Sequence, residues 1–256
     1  MSFLWFPINL LQVIFVTVWS VFCTTAGIVM AKIAGNPRPG LWVARKWAPV
    51  VLASGWVRLQ IEGRERLDPS KAYFIVSNHL SWVDIPILLA SLPIPVLFIA
   101  KQELKGIPLL KHYAETMGMV FVNRSDRRDS MRSVEVVTER LRAGWSVLAF
   151  PEGTRSVDGR LLRFRGATFA AAIEAGVQVL PIALENPARI VPRKGIRFRP
   201  GLVRVAFGEP LSTAEFSRDD RVALATRAQQ AVAAELARLR GLSGPEEVVA
   251  EPLVPA

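Results

Sequence analysis

Cysteine and histidine are scarce in this 256-residue chain, which has one cysteine, Cys23, and two histidines, His79 and His112. A single cysteine excludes an intramolecular disulfide, and so few thiols and imidazoles argue against a structural zinc site. The sequence also lacks the glycine patterns of P-loop and dinucleotide-binding proteins and the Gly-x-Ser-x-Gly pattern of many hydrolases. We therefore predict neither a bound metal nor a nucleotide cofactor.

Acidic residues are absent from the first 61 residues, which nevertheless hold five of the seven tryptophans. The basic residues of this segment are Lys32, Arg38, Arg45, Lys46 and Arg58. The whole chain has 32 Lys+Arg against 22 Asp+Glu, a formal net charge of +10, which predicts anionic partners. Tryptophan beside basic residues and long apolar runs is typical of a membrane interface. We therefore expect an anionic membrane surface as a partner, rather than nucleic acid.

No charged side chain occurs in residues 1–31. An apolar helix over residues 3–31 would be roughly 43 Å long at ~1.5 Å per residue, which exceeds the ~30 Å hydrocarbon core of a bilayer. A second apolar segment, residues 41–57, is interrupted by Arg45 and Lys46 and is expected to lie at the interface. We predict that residues 1–57 form a membrane-anchoring helical hairpin, the alternative being a hairpin buried in the protein. The basic residues after the first run predict that the chain from residue 32 onward lies on the cytoplasmic side.

From residue 58 onward, short apolar runs alternate with amphipathic stretches. Continuous apolar character predicts strands buried on both faces of a sheet, at residues 72–77, 96–100, 118–122, 146–150 and 177–184. Helices are predicted over residues 130–143, 161–175 and 219–240, and further strands over residues 196–207. The alternation predicts an α/β fold over residues 58–240, with a layered sheet flanked by helices. Residues 241–256 are rich in proline and glutamate and are predicted to be a disordered tail.

Two predicted strands run directly into polar sequences at their carboxyl ends, where ligands of open α/β sheets collect. Residues 78–84 read NHLSWVD, and residues 151–156 read PEGTRS. His79 and Asp84 can meet if His79 lies in the loop and Asp84 in the first turn of a helix. Asp84 would then fix one tautomer of His79 and leave the other ring nitrogen as a general base. The residue types also fit a capping box in which Ser81 and Asp84 begin the helix.

Basic residues follow three of the predicted strands. Arg155 lies beside a glycine turn, which suits bidentate recognition of a phosphate, and a structural ion pair with Glu152 is the alternative. Lys101 and Arg124 follow two other strands and are expected at the same edge of the sheet. Three cations at one edge of the sheet predict that an anionic headgroup binds there.

Two further polar residues are interpreted as non-catalytic. Ser81 is taken as a helix cap or loop hydrogen-bonding residue, because the members of a Ser-His-Asp triad converge from separate segments in known templates. His112 lies beside Lys111 in a predicted surface helix and is interpreted as solvated. This leaves His79 as the candidate base.

The sequences at these strand ends resemble the four short sequence motifs, called blocks, of the glycerolipid acyltransferases. Residues 78–84 are similar to the family's N-H-x-x-x-x-D catalytic motif, and residues 150–156, FPEGTRS, match its third block without a substitution. The second and fourth blocks are similar to residues 101–104 with 118–124 and to residues 179–182, respectively. The resemblance runs in order over residues 70–185 and identifies the chain as a member of this family.

The resemblance implies a bacterial membrane enzyme that moves a fatty acyl group to the free sn-2 hydroxyl of 1-acyl-glycerol-3-phosphate and yields phosphatidic acid. The donor would be a thioester of acyl carrier protein or coenzyme A, with no cofactor or metal. It implies that His79 is the base and that Asp84 orients it. The acceptor-binding residues would be Lys101, Arg124, Glu152, Gly153, Thr154 and Arg155. The expected location is the inner membrane, with the catalytic domain on the cytoplasmic side.

Two alternatives stay open at this point. The first keeps the chemistry but changes the acceptor to another lysolipid, such as a lyso-ornithine lipid or a different lysophospholipid, because pocket shape sets that choice. The second is a non-catalytic basic membrane scaffold. A scaffold does not require His79, Asp84 and Glu152 at strand ends, which favours the enzyme.

Overall fold

A computed structural model describes residues 2–122, 127–192 and 198–250, and for residues 2–6 and 127–130 it describes only the backbone. The described helices are α1 (Ser2–Ala34), α2 (Arg38–Ser54), α3 (Asp84–Ser91), α4 (Pro108–Met117), α5 (Arg127–Arg142), α6 (Phe169–Ala175), α7 (Pro187–Ile190) and α8 (Arg221–Arg240). The described strands are β1 (Val57–Glu62), β2 (Tyr73–Ser77), β3 (Val96–Lys101), β4 (Val120–Val122), β5 (Ser146–Ala149), β6 (Gln178–Glu185) and β7 (Gly201–Phe207).

The strands form one sheet in the order β1-β7-β6-β2-β5-β3-β4. From β6 to β4 all neighbours are parallel, whereas β7 pairs antiparallel with β6 and parallel with β1. The carboxyl ends of β2, β5 and β3 therefore lie at the same edge. The predicted α/β fold with a layered sheet between helices is confirmed.

The apolar runs form strands because both faces of the sheet are covered by helices. Every residue of β2 is buried. Phe74 and Val76 point to the apolar cluster that contains α6 and α8, while Tyr73 and Ile75 point to the cluster that contains α3. A strand with two buried faces has no position for a polar side chain, so polar residues begin only where the strand ends.

The first helix leaves most of its apolar surface exposed. Its segment Pro7–Ala34 is long and apolar enough to cross a membrane, and only 17% of the most apolar window is buried. The alternative of a hairpin buried within the protein therefore does not describe α1. The two helices are joined by hydrogen bonds, since the Trp19 indole donates to the Trp47 carbonyl at 3.4 Å and the Trp47 indole donates to Ser20 Oγ at 2.9 Å.

The second helix is part of the packed core as well as of the predicted anchor. Ala48 and Leu52 on α2 are buried in the same cluster as Ile87 and Leu88 on α3. The boundary predicted at residue 57 thus does not divide two separately packed units. Residues on one face of α2 contact the sheet layer, and the exposed Trp42 lies on another face.

The chain after residue 240 differs from the predicted disordered tail. Val248 is fully buried, its carbonyl accepts the Leu161 N–H at 2.7 Å, and the Ala250 N–H donates to the Leu161 carbonyl at 2.9 Å. The valine in this polar, proline-rich stretch completes the core, which average composition does not reveal. The predicted helix over residues 161–175 is likewise wrong at its start, because Leu161 takes part in this pairing and α6 begins only at Phe169. Residues 251–256 lie outside the described residues.

Candidate active site

The loop after β2 carries His79 and leads into α3, whose first residue is Asp84. His79 Nδ1 lies 2.7 Å from Asp84 Oδ2. The same oxygen accepts the backbone N–H groups of Leu80 at 2.7 Å and Ser81 at 2.9 Å. Asp84 is fully buried, and these three donors compensate its carboxylate. The imidazole and the carboxylate therefore meet under the condition stated for the sequence, because His79 lies in the loop and Asp84 in the first helical turn.

The contact fixes the tautomer of His79. A carboxylate only accepts hydrogen bonds, so Nδ1 carries the hydrogen and Nε2 keeps its lone pair. The His79 side chain is 19% exposed, which leaves the imidazole within reach of a ligand. The ring can thus act as a general base through Nε2.

The capping box that the residue types allowed at Ser81 and Asp84 is not formed. The Ser81 N–H donates to Asp84 Oδ2, but the Ser81 hydroxyl donates to the Val191 carbonyl at 2.6 Å, and α3 begins after Val83 with no side-chain cap hydrogen bond. Asp84 Oδ1 is buried without a hydrogen-bond partner among the described residues. Ser81 serves as a loop hydrogen-bonding residue, and it holds the segment that carries His79.

The loop after β5 clamps His79 through its backbone. The His79 N–H donates to Glu152 Oε1 at 2.6 Å, and the His79 carbonyl accepts the Ser156 N–H at 2.9 Å. The Phe150 ring stacks on the imidazole, with centroids 4.1 Å apart and planes 16° apart. Sequence reasoning missed the roles of Phe150 and Ser156, for which the only signal was their place within the FPEGTRS sequence.

Glu152 faces inward. It is 3% exposed, and its second oxygen, Oε2, accepts the Leu162 N–H at 3.0 Å. Burial raises the pKa of Glu152 to about 8, the two backbone donors oppose that rise, and the charge of Asp84 adds to it. The resemblance implies that this carboxylate binds the acceptor, whereas the geometry supports a positioning role behind His79.

This environment makes the stability of the protein depend on Glu152 and pH. Between the ordinary pKa of 4.5 and a folded-state pKa of about 8, the folded protein holds a proton that the unfolded chain releases. The stabilisation present below the ordinary pKa is therefore lost as the pH rises through about 8. We expect the urea midpoint of the full-length protein in detergent to fall over this range, and Glu152→Gln to flatten that fall while lowering the midpoint at acidic pH. An unchanged slope in the variant would show that another group titrates.

Arg155 lies across the indole of Trp82. The guanidinium carbon is 4.5 Å from the ring centroid, and Trp82 is 55% exposed. Gly153 has a φ of +78°, a left-handed conformation that favours glycine and turns the chain back after β5. Thr154 is exposed and Arg155 is half-buried at this turn. The stacking connects the two polar loops, and it holds a cation beside the imidazole loop.

Of the other two predicted cations, Lys101 is among the described residues. Lys101 is the exposed last residue of β3, at the same edge of the sheet as the loops after β2 and β5. Arg124 lies outside the described residues. His112 is exposed on α4, as predicted.

Among the residues that the structure describes, no group of three or more His, Cys, Asp or Glu side chains is arranged to hold a metal ion.

Comparison with known proteins shows that this chain is similar to acyltransferases. The family described as Acyltransferase matches residues 58–185. The chloroplastic 1-acyl-sn-glycerol-3-phosphate acyltransferase of Arabidopsis thaliana is 36% identical over 208 residues, which are 74% of this chain and 58% of that protein. The enzyme of the same name from Neisseria meningitidis is 40% identical over 134 residues, which are 52% of this chain and 51% of that protein. The chain thus spans between half and two thirds of the length of these two relatives.

A solved structure supports the same assignment over more of the chain. The crystal structure of the 1-acyl-sn-glycerophosphate acyltransferase from Thermotoga maritima aligns with a TM-score of 0.79 and 27% identity. The alignment covers 91% of this chain and 95% of that one. The similarity therefore includes the helices before the sheet as well as the sheet itself.

Proposed function

Because this chain belongs to the acyltransferase family, we propose that it transfers a fatty acyl group from a thioester to the sn-2 hydroxyl of 1-acyl-glycerol-3-phosphate. The product would be phosphatidic acid. The resemblance seen in residues 78–84 and 150–156 is confirmed at the level of the family. The observation that carries the proposal is the 2.7 Å contact between His79 and the buried Asp84 at the carboxyl ends of the strands. The names of the relatives from Arabidopsis and Neisseria support the choice of acceptor.

The proposed reaction begins when Nε2 of His79 removes the proton from the acceptor hydroxyl. The hydroxyl oxygen attacks the thioester carbonyl carbon, a C–O bond forms, and the C–S bond then breaks. The departing thiolate takes the proton back from His79, so that the products are an ester and a free thiol. Asp84 stabilises the imidazolium between these steps, and Glu152 and Phe150 hold the ring in place. The donor is proposed to be a thioester of acyl carrier protein or coenzyme A.

The acceptor phosphate is proposed to bind at the same edge of the sheet. Arg155 is the principal proposed ligand, supported by its stacking on Trp82 and by the glycine turn beside it. Lys101 adds charge at the same edge, and the resemblance adds Arg124. A guanidinium packed over an indole loses little freedom when it binds a phosphate through two hydrogen bonds.

Replacing Arg155 with alanine is expected to weaken use of the phosphorylated acceptor by roughly 10- to 150-fold in kcat/KM, because a charge-assisted contact is worth about 1.5–3 kcal/mol. Use of 1-monoacylglycerol, which has no phosphate, should change little, and so should the KM for the acyl donor. The matched control is Arg160→Ala, which removes an exposed arginine from the same loop. Equal losses with both acceptors would make Arg155 a structural residue.

The function itself is tested by thiol release. Purified full-length protein is mixed with an acyl thioester, and free thiol is measured after addition of lysophosphatidic acid. The expected result is release that depends on the acceptor, with lyso-ornithine lipid and lysophosphatidylcholine as weaker acceptors. Preferred use of one of those lipids would replace the proposed acceptor but keep the chemistry. No release with any lysolipid would contradict an acyltransferase and favour a scaffold.

We also propose that the protein resides in the bacterial inner membrane with its sheet on the cytoplasmic side. The support is the exposed apolar surface of α1, with basic residues after its carboxyl end. An embedded helix is expected to keep the protein in the membrane fraction through high-salt and carbonate washing, since salt weakens only the charge contacts. Complete extraction by either wash would show that α1 is not embedded.

A further inference from the structure

A second cleft lies at the opposite edge of the sheet from the candidate active site. It has a volume of about 420 Å³ and lies between α2 and the segments that precede β2, β3 and β5. The imidazole loop follows the carboxyl end of β2, and a strand of that length spans roughly 17 Å at ~3.4 Å per residue. The cleft is therefore separate from the acyl transfer site.

The cleft is lined by basic residues on two sides. Arg38 and Arg45 come from α2, and Lys71 comes from the segment before β2. No aspartate or glutamate is among the described residues that line it. The nearest carboxylate partner is Asp68, 3.5 Å from Lys71 in an exposed ion pair. This imbalance of charge in a concave site favours an anionic ligand.

Among these cations, Arg45 has a buried nitrogen, Nε, that lacks a hydrogen-bond partner among the described residues. Burial, together with the nearby charge of Arg64, lowers the pKa of Arg45. An anion in the cleft would supply both the missing acceptor and the missing counter-charge.

Two tryptophans complete the cleft. The Arg38 guanidinium lies 5.6 Å from the centroid of the Trp145 ring, and Trp42 is 52% exposed on the face of α2 that also carries Arg38 and Arg45. This face begins a few residues after the end of α1, the helix that is long and apolar enough to span a membrane. Indole rings beside cations at the end of such a helix are typical of the headgroup layer.

We propose that this cleft binds the phosphate of an anionic membrane phospholipid. Arg45 and Lys71 hold the phosphate oxygens, and Trp42 and Trp145 contact the glycerol and the first acyl carbons. The volume is within the range of pockets that enclose small ligands. The bound lipid is not consumed, so the proposal does not depend on the acyl transfer reaction. Its consequence is a fixed orientation of the sheet relative to the membrane surface.

The test is a calorimetric titration of the full-length protein in a nonionic detergent. The probes are short-chain phosphatidylglycerol and phosphatidylcholine with the same acyl chains, and we expect binding of the anionic lipid alone. Lys71→Gln and Arg45→Gln are each expected to weaken that binding about 10-fold, as a lost charge-assisted contact does. Arg58→Gln, the matched control, removes one positive charge from an exposed position outside the cleft and should change binding less than about twofold.

The remaining outcomes distinguish specific lipid binding from unspecific attraction and from binding of free phosphate. Lys71 is exposed, so its variant tests the cleft without disturbing the core, and Arg45→Lys keeps the charge and should retain most of the binding. Wild-type affinity in Lys71→Gln would overturn the proposal, and so would an equal loss in Arg58→Gln, which would indicate unspecific attraction. If excess inorganic phosphate displaces the lipid as well as phosphatidylglycerol does, the ligand is free phosphate and the lipid proposal is wrong.

Discussion

Replacing His79 with alanine is expected to reduce kcat for acyl transfer by about 10⁴-fold, the upper end of what a general base contributes. In the proposed reaction His79 accepts the hydroxyl proton, because the neighbouring Asp84 is buried and its Oδ2 already accepts three hydrogen bonds. The measurement is thiol release from an acyl thioester with saturating lysophosphatidic acid. Binding of the acceptor should persist, since the imidazole contacts the hydroxyl and not the phosphate.

The chain offers a matched control in its other histidine. His112 is exposed on α4, and His112→Ala makes the same chemical change far from the loop after β2. It should leave kcat unchanged. Turnover near that of the wild type in His79→Ala, with the same thermal midpoint as the control, would refute the mechanism. A large drop in the midpoint would instead show that the ring acts mainly through its packing on Phe150.

The positions of His79 and Arg155 could be predicted because each follows a run of apolar residues that only a doubly covered strand accommodates. Parallel strands present their carboxyl ends at one edge, so both loops were expected there without knowledge of the strand order. That β2 and β5 are neighbours could not be read from the sequence, because β3 and β4 intervene along the chain. Their adjacency is what lets the loop after β5 clamp the histidine.

The inward orientation of Glu152 could not be predicted from the local sequence. Its two oxygens satisfy N–H groups of His79 and Leu162, and the first of these residues is 73 positions away in the chain. A glutamate beside a glycine turn and an arginine has the composition of a surface anion site. Only tertiary packing shows that it is buried behind the imidazole.

An edge strand was also missed for a physical reason. In β1, Val57, Leu59 and Ile61 are less exposed than the polar residues Arg58 and Gln60 between them. This alternation is the signal of a strand with one covered face, and the strand begins only three residues after the end of α2. Its pairing with β7, far along the chain, depends on a contact that local periodicity does not encode.

Replacing Asp84 with asparagine is expected to lower kcat by about 100-fold, the lower end of the range for general base catalysis, with little change in KM. The asparagine carbonyl oxygen can occupy the place of Oδ2 and still accept the N–H groups of Leu80 and Ser81, so α3 and its loop should remain folded. The loss arises because a neutral amide does not stabilise the imidazolium that forms on His79 when it takes the proton.

The control for this charge removal is Asp219→Asn, because the Asp219 side chain is fully exposed. It should leave both kcat and the thermal midpoint unchanged. The decisive measurement is kcat and KM determined together with the thermal midpoint, since the loss of the carboxylate that stabilises the imidazolium lowers kcat alone. A loss of kcat accompanied by a lower thermal midpoint would mean that Asp84 acts only by holding the loop through the N–H groups of Leu80 and Ser81. A lower kcat in a protein of unchanged KM and unchanged stability requires the carboxylate to act through the imidazole.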